Sequence, residues 1–197
     1  MLKKRLIPVL YIKNGLIVRS ENFIDFKIIG NVVNEVRRYN QWDIDELVYI
    51  DISRDKEYDS RRDDHKISRV NSIDDVLKLV SKECFMPLTF GGGIRDLITI
   101  KKFLTNGADK VILNTMLHEN PSEVREAVKI YGSQAVVAAL DYRVENEKLV
   151  FYCENGKKKL DYSLSQISNL INDLNCGEIL ATSIDRDEQA KDMILNQ

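Results

Sequence analysis

The stretch Leu88-Thr89-Phe90-Gly91-Gly92-Gly93-Ile94-Arg95 places three glycines directly after a short apolar run. The run is typical of a buried strand, and Asp96–Thr105 has the pattern of a helix. Glycines between a strand and a helix leave backbone N–H groups free to face an anion, and the positive end of the helix dipole adds to the attraction. The pattern predicts phosphate binding at Gly91, Gly92 and Gly93. The alternative is a tight turn without a ligand.

Other polar residues also follow apolar runs that are typical of strands. Asn114 and Thr115 follow one run, Asp51 and Asp141 end two others, and the last run leads into Ser183–Asp187. In barrels of alternating strands and helices, the chemistry collects at the C-terminal ends of the strands. The series therefore predicts one active face.

The polar residues at these strand ends each have a functional and a structural interpretation. Asn114 and Thr115 would add phosphate donors beside the glycines, although both types are common helix caps. A carboxylate at a strand end is partly desolvated, which favours general acid–base use. Asp141 is therefore either catalytic or a residue that pins a loop, and Asp51 either orients a substrate or is structural.

Strand and helix patterns alternate along the chain, which predicts a parallel sheet with right-handed crossovers. The expected fold is α/β, a (β/α)8 barrel of the TIM type, in one domain over residues 1–197. Six strands are expected instead of eight, so the barrel should be truncated and open between strands one and six. The expected strands are Leu6–Leu10, Glu46–Ile50, Met86–Phe90, Lys110–Leu113, Ala135–Leu140 and Glu178–Thr182.

The connections differ in their expected structure. Helices are expected over Val32–Tyr39, Ser72–Lys82, Asp96–Thr105 and Ser163–Leu174, and from Pro121 onward. Arg143–Lys159 alternates charged and apolar side chains and predicts a small hairpin. The segment with Gly15 and Gly30 is expected to be a polar loop, and Asp55–Arg69 a long charged loop.

Composition excludes several classes of protein. The net charge of −2 argues against a dedicated nucleic-acid-binding protein. No run reaches ~18 apolar residues, so no membrane span is expected. Three widely spaced cysteines, Cys84, Cys153 and Cys176, indicate reduced thiols in a cytoplasmic protein. His65 and His118 have no second ligand at metal spacing and are expected to be solvated, so no metal and no cofactor is expected.

In this order the motifs resemble the cyclase subunit of imidazole glycerol phosphate synthase, over nearly the whole chain. The residues that carry the resemblance are Lys4–Pro8, Lys13–Gly15, Asn22-Phe23, Ile44–Val48, Asp51-Ile52, Phe90–Ile94, Gly107–Val111, Asn114-Thr115, Glu119–Ser122, Gly132–Val137, Gly177–Leu180 and Thr182–Asp187. The resemblance implies a barrel that receives ammonia from a separate glutaminase subunit at its N-terminal face. The ammonia crosses the barrel core and reacts with a phosphorylated acceptor at the C-terminal face.

The resemblance also assigns roles to residues. It places Arg5, Glu46, Lys110 and Glu178 in a polar gate for ammonia at the starts of strands. It places Asp109 near the glutaminase interface, Asp141 as the catalytic carboxylate of strand five, and Asp187 among the substrate-binding residues.

Three positions depart from the family pattern. Tyr11 stands where the family has a catalytic Asp, Arg19 replaces a Lys, and Glu188 replaces a Gly. A phenol with a pKa near ~10 cannot replace a carboxylate near neutrality without a large shift. The segment Tyr11–Gly15 resembles instead a branch of the family that is thought to deliver ammonia for sugar amidation in surface-polysaccharide biosynthesis. Two further alternatives are a truncated remnant without catalysis and a scaffold that only binds and activates a glutaminase.

Overall fold

The chain alternates strands and helices in the computed structural model, which describes residues 4–21, 25–53, 58 and 70–186. In chain order the strands are β1 (Val9–Lys13), β2 (Leu16–Glu21), β3 (Asp25–Asn31), β4 (Leu47–Asp51), β5 (Leu88–Gly91), β6 (Lys110–Leu113), β7 (Val136–Glu145), β8 (Lys148–Cys153), β9 (Lys158–Lys159) and β10 (Glu178–Ser183). The helices are α1 (Val32–Gln41), α2 (Ile73–Glu83), α3 (Leu97–Thr105), α4 (Thr115–Glu119), α5 (Pro121–Tyr131) and α6 (Leu164–Leu174). One turn of 3-10 helix precedes β7 and another follows β10.

Six of these strands run parallel, in the order β1-β4-β5-β6-β7-β10. Each parallel strand therefore lies beside the next one along the chain, which confirms the predicted parallel α/β sheet of the barrel type. Within the described residues β10 pairs only with β7, and no pairing joins it to β1, so the sheet is not closed there.

The edge of β1 is partly covered by a hairpin that the sequence analysis did not predict. β2 pairs antiparallel with β1, and β3 pairs antiparallel with β2. The expectation of a polar loop around Gly15 and Gly30 is therefore wrong. Asn14 and Gly15 have φ angles of 53° and 85° and form the two-residue turn that joins β1 to β2. The strand was missed because Leu16–Val18 is buried on both faces and does not alternate with polar residues.

A second hairpin extends β7, as predicted. β7 runs for 10 residues, and its last part pairs antiparallel with β8, which in turn pairs with β9. β10 covers one edge of β7, so β6 and β8 share the other edge. The hairpin therefore rises from the C-terminal end of the sheet, directly above β6.

Short polar side chains fix where four of the helices begin. Asn31, Ser72, Asp96 and Ser163 each accept a hydrogen bond from a backbone N–H in the first turn of α1, α2, α3 and α6. The predicted starts of the helices after Ser72, Asp96 and Ser163 are thereby confirmed. The five-residue helix α4 was not predicted.

Side chains alternate between the two faces of the sheet. The outer faces of the strands pack on the helices in one large core, to which Tyr49, Phe90 and Leu113 belong. The inner faces form a smaller apolar cluster, which we call the middle layer. Its members are Val48, Ile112, Val137 and Ala139, with Ile7, Val9, Ile50 and Leu180 packed against them.

Several expectations about boundaries need correction or cannot be followed. β1 begins at Val9 instead of Leu6, so Tyr11 lies inside the strand. Apart from Tyr58, the expected charged loop lies outside the described residues, as do His65 and Asp187. The extent of the domain, 1–197, stays a prediction. Of the helices in the described ranges, none has the length and apolar character needed to cross a bilayer.

Candidate functional site

A cavity of about 480 Å³ opens at the C-terminal ends of the parallel strands. Each of the six strands, or the residues directly after it, contributes to the lining. The polar residues around it are Tyr11, Asp51, Ser53, Arg95, Asn114, Thr115, Asp141, Glu154, Asn155 and Thr182. The structure therefore brings Asp51, Asp141 and the Asn114-Thr115 pair together with the glycine loop, as the positions of these residues after strands predicted.

The three glycines at the end of β5 and directly after it have different roles. A Cβ on Gly91 would lie 2.2 Å from Cγ2 of Ile112, and a Cβ on Gly92 would lie 2.0 Å from the carbonyl oxygen of Asp51. These two positions are glycine because neighbouring strands approach closely. Gly93 has a φ of 66°, but no atom lies within 4 Å of an added Cβ. Gly93 therefore faces the open space of the cavity.

Unpaired backbone donors line the same corner of the cavity. The N–H groups of Gly92, Gly93 and Thr115 form no hydrogen bond within the described ranges of the chain. Backbone N–H groups without protein acceptors are the donors that bind phosphate oxygens in glycine-rich loops. This corner is suited to an anion.

The start of α3, whose dipole was expected to attract an anion, carries two carboxylates. The Asp96 carboxylate accepts hydrogen bonds from the backbone N–H and the hydroxyl of Thr99, both at 2.7 Å, and these bonds lower its pKa. Glu123 accepts the backbone N–H of Leu97 at 2.7 Å. Two carboxylates thus already occupy the start of α3, so an anion would be repelled there. Any phosphate must rely on the loop and on the start of α4.

Asn114 connects the glycine side of the cavity with Asp141. Its Nδ2 donates to Oδ2 of Asp141 and to the carbonyl oxygen of Ala139, both at 3.2 Å. Its Oδ1 is buried without a hydrogen-bond partner in the described part of the structure. The amide therefore holds the Asp141 carboxylate in place and leaves an acceptor atom unsatisfied, which a ligand or water can use.

The β8–β9 turn lies above α4. The backbone N–H of Glu154 points to Oγ1 of Thr115 at 3.4 Å, and Lys158 Nζ contacts Glu119 Oε1 at 3.2 Å. Glu119 also accepts from Arg95 at 3.0 Å. These contacts hold the hairpin against the anion corner, so the hairpin forms one wall of the cavity.

His118 differs from its predicted environment. It is half-buried, its ring lies 5.4 Å from that of Tyr162, and burial lowers its pKa. The expectation of a solvated histidine is wrong because α4 turns this side chain toward the chain after β9. The residues that the structure describes contain no cluster of three or more side chains of metal-ligand type.

Asp51 lies at the end of β4, beside the glycine loop. Its Oδ1 accepts from the backbone N–H of Ser53 at 3.1 Å and from the hydroxyl of Ser53 at 2.6 Å. Its Oδ2 accepts from the hydroxyl of Tyr58 at 2.7 Å. Sequence reasoning missed both partners. A Ser two residues after an Asp is a known turn signal, whereas nothing singled out Tyr58 within the charged loop.

Tyr11 lines the cavity from β1. It is paired with Ile50 in the register of β1 and β4, so it lies beside the end of β4. The position that holds a carboxylate in the family pattern is thus occupied here by a phenol that reaches the cavity.

The four predicted gate residues meet at the other end of the sheet, where the parallel strands begin. Glu46 accepts from Arg5 at 3.1 Å and from Lys110 at 2.8 and 2.9 Å. Lys110 also contacts Glu178 at 2.8 Å, and Arg5 contacts Glu178 at 3.5 Å. We call this group the mouth ring. Thr89, which sequence reasoning did not name, adds a hydrogen bond of 2.7 Å to Glu46.

Burial strengthens the interactions between the charges of the mouth ring. The Glu46 side chain is 2% exposed and that of Lys110 is 14% exposed. Desolvation opposes the charge on Lys110, but the hydrogen bonds that Lys110 donates to Glu178 and Glu46 outweigh it and raise the pKa of Lys110. Desolvation likewise opposes the charge on Glu178, and Lys110 and Arg5 together lower the pKa of Glu178.

Asp109 lies on the same face as the mouth ring, at the start of β6. Its Oδ2 accepts the backbone N–H of Leu88 at 2.8 Å, and its own N–H donates to the carbonyl oxygen of Leu88. The residue is exposed and fixes the start of β5. Asp109 is therefore accessible to a partner. It also holds the start of β5 through its bonds to Leu88, a structural role that the sequence did not indicate.

The fold and the cavity define the class of this protein: an α/β protein of the (β/α)8-barrel type with a polar cavity at the strand ends. Residues 5–192 match the family model described as histidine biosynthesis protein. The chain is 38% identical over 187 residues to "Imidazole glycerol phosphate synthase subunit HisF" of Chlorobium phaeobacteroides, covering 95% of this chain and 70% of that protein. The protein of the same name from Exiguobacterium sp. is 37% identical, with 95% and 69% covered.

The chain therefore belongs to the histidine biosynthesis family that includes the HisF subunits of imidazole glycerol phosphate synthase. The named relatives are subunits of an enzyme, so they work beside a further subunit. The match covers the residues of the mouth ring and of the cavity alike.

Proposed function

We propose that this chain is an ammonia-dependent synthase subunit of the cyclase type. It takes ammonia that a separate glutaminase subunit releases from glutamine, and adds it to a phosphorylated or nucleotide-linked acceptor in the cavity. By analogy with the named relatives, this reaction is that of imidazole glycerol phosphate synthase in histidine biosynthesis, carried out in the cytoplasm.

The observation that carries the proposal is the alignment of three layers along the inner face of the sheet. On β10, Glu178 belongs to the mouth ring, Leu180 to the middle layer and Thr182 to the cavity lining. Lys110, Ile112 and Asn114 repeat this order at β6. Residues two apart on a strand share a face. A small molecule admitted at the mouth ring would thus travel along the inner face to Asp141.

In the cavity the residues divide into binding and proton transfer. A phosphoryl group of the acceptor would bind at Gly92, Gly93 and Thr115, with Gly91 giving the close strand contact and Asn114 the neighbouring amide. Addition of ammonia to an electrophilic carbon leaves a positively charged nitrogen that must lose a proton. The Asp141 carboxylate, oriented by Asn114, is the proposed acceptor of this proton. Asp187, which the resemblance assigns to substrate binding, lies outside the described residues.

A second candidate function is sugar amidation in surface-polysaccharide biosynthesis, which Tyr11 favours. Ammonia delivery and the role of Asp141 would be the same, but the acceptor would be a sugar derivative. The phenol replaces a carboxylate in the cavity wall, so chemistry that needs two carboxylates in the family pattern would be impaired.

The test is to co-express the chain with a glutaminase subunit encoded beside it and to follow two reactions. The first is glutamine hydrolysis, and the second is conversion of the synthase acceptor with an ammonium salt as nitrogen source. Asp141→Asn should slow the second reaction by about 10²–10⁴-fold, as expected for loss of a general base. Asp173→Asn, an exposed position on α6, is the control and should leave the rate unchanged.

The remaining outcomes separate the alternatives. Binding and activation of the glutaminase without conversion of any acceptor would support the scaffold, and failure of both would support the remnant. If wild type is inactive with the synthase acceptor and Tyr11→Asp gains activity, the sugar-amidation branch is supported. Equal rates for wild type and Asp141→Asn would contradict the proposed catalytic role.

A further inference from the structure

A network of hydrogen bonds around Asp51 has no part in the function proposed above. Within the described residues, Ser53 and Tyr58 supply three donors to the Asp51 carboxylate, at 2.6 to 3.1 Å. The carboxylate therefore has both oxygens engaged by groups of the protein. A carboxylate held by several donors is kept in one orientation.

The same network reaches the turn between β1 and β2. The backbone N–H of Asn14 donates to Oγ of Ser53 at 2.7 Å. The Ser53 hydroxyl thus accepts from Asn14 and donates to Asp51, which joins the end of β4 to the β1–β2 turn. Gly15, the next residue of that turn, lies close to the Tyr58 ring, since an added Cβ would be 3.4 Å from Cδ1.

Tyr58 therefore contacts both sides of the junction that Ser53 makes between the end of β4 and the β1–β2 turn. Its hydroxyl binds Asp51, and its ring packs beside Gly15. Burial and the hydrogen bond to Asp51 raise its pKa, so the phenol keeps its proton at neutral pH and remains a donor. Removing the hydroxyl would leave Oδ2 of Asp51 without one of its donors.

The junction bears on the cavity because of where its members lie. Tyr11 and Asp51 line the cavity, and Tyr11 is three residues from Asn14 on the strand that leads into the turn. The backbone of Asp51 is also the surface against which Gly92 packs. A movement of Asp51 would therefore change the Tyr11 wall and the glycine loop together.

We infer that Tyr58 is a positioning residue, which acts through Asp51 and Ser53 to hold the β1–β2 turn and the Tyr11 wall of the cavity in place. It does not touch the reacting atoms. Asp51 is accordingly an orienting carboxylate, and proton transfer is left to Asp141. This last step rests on the proposed function, whereas the positioning itself does not.

The first test measures the junction directly, without any substrate. In Tyr58→Phe, the amide of Asn14 should exchange with deuterium about 10-fold faster than in wild type, as seen by NMR, because Ser53 is no longer held by a fixed Asp51. Tyr39→Phe removes a half-buried hydroxyl from α1, far from the cavity, and should leave Asn14 unchanged. Ser53→Ala should raise the exchange rate as well, and Ser53→Thr, which keeps a hydroxyl, should restore it.

The second test uses ammonium-driven conversion of the acceptor. Tyr58→Phe should lower kcat about 10-fold and leave the KM for ammonium unchanged, because it displaces a wall of the cavity and not the path of ammonia. If wild type shows no conversion, the proposed function fails and the exchange experiment still decides the inference. An Asn14 exchange rate that is equal in Tyr58→Phe and wild type would overturn the inference, whatever the activity. So would wild-type exchange in Ser53→Ala.

Discussion

Arg5 and Glu178 lie 3.5 Å apart, although Arg5 precedes the first parallel strand and Glu178 begins the last. β1 and β10 are the outer members of the parallel set and do not pair within the described residues. The contact shows that the sheet is rolled enough at its N-terminal end for its outer strands to share an ion pair. The mouth ring thus links β1 and β10 through side chains, although no backbone pairing joins these two strands in the described residues.

Lys110 should be the member of the mouth ring that matters most for stability. Lys110→Ala removes one cation from a Glu46 side chain that is 2% exposed. The loss should be about 2–4 kcal/mol in the free energy of unfolding, somewhat below the usual figure for a broken buried pair, because Arg5 and Thr89 still contact Glu46. Urea denaturation measures it. Lys129→Ala, at an exposed i,i+3 pair of 3.8 Å, is the control and should change little.

The same variant tests the gate. If Lys110 controls the entry of ammonia, Lys110→Ala should uncouple glutamine hydrolysis from acceptor conversion in the complex with the glutaminase. Conversion with ammonium salts should be kept, because Asp141 is untouched. The ratio of the two products in one assay measures coupling, and an unchanged ratio would remove Lys110 from the proposed gate.

The stability that the mouth ring contributes should depend on pH in a defined window. The pKa of Glu178 is lowered from 4.5, so its contribution is present above that value and is lost as the pH falls through the lowered pKa. The pKa of Lys110 is raised from 10.5, so its contribution is present below that value and is lost as the pH rises through the raised pKa. The difference in unfolding free energy between wild type and Lys110→Ala should be largest between these limits. Urea titrations at acidic, neutral and strongly alkaline pH check this, and a difference that does not vary with pH would contradict it.

Gly93 is the position at which to test the anion corner. Gly92→Asp would place a Cβ 2.0 Å from the Asp51 carbonyl oxygen, so loss of binding could reflect loss of the fold. Gly93→Asp has room and would put a negative charge in the cavity, so phosphate should no longer raise the melting temperature. Gly93→Ala shares the strain of a positive φ, about 1–2 kcal/mol, and should still respond to phosphate. Equal stabilisation of all three proteins by phosphate would refute the site.

The face around the mouth ring should bind the glutaminase subunit. Asp109 is exposed there, and Phe85, at the end of α2 beside β5, is 87% exposed. Asp109→Asn keeps the acceptor for the Leu88 N–H and removes the charge. Phe85→Ser should weaken the complex by about 10-fold or more if the aromatic side chain anchors it, and Asp109→Asn should have a smaller effect. Calorimetric titration measures the dissociation constant of the complex for both variants. Leu164→Ser, at an exposed apolar position on α6, is the control.

The order of the parallel strands could be predicted because it follows from regular spacing. The members of the mouth ring were assigned by the family resemblance, and since all strand starts lie at one end of a parallel sheet, Arg5, Glu46, Lys110 and Glu178 could converge there. The motifs after β5, β6 and β7 meet in the cavity because the C-terminal ends of parallel strands lie together at the opposite end of the sheet.

What could not be predicted depends on long-range packing. The Asn14-Gly15 turn is a strong hairpin signal, but the burial of Leu16–Val18 removed the alternation that would have identified β2. The bond from Tyr58 to Asp51 joins a loop residue to a strand end, and no local pattern encodes it. The capping of α3 by Asp96 was recognisable as a helix start, yet its effect on the anion corner follows only from seeing Glu123 beside it.

The middle layer separates the mouth ring from the cavity by apolar side chains. Val48, Ile112, Val137 and Ala139 offer no hydrogen-bonding side chain between the mouth ring and the cavity. An ion entering this layer would lose its hydration shell without replacement, at a cost of several kcal/mol or more. A neutral molecule of the size of ammonia would lose far less. If the proposed function holds, the middle layer should therefore let neutral ammonia pass more readily than ammonium.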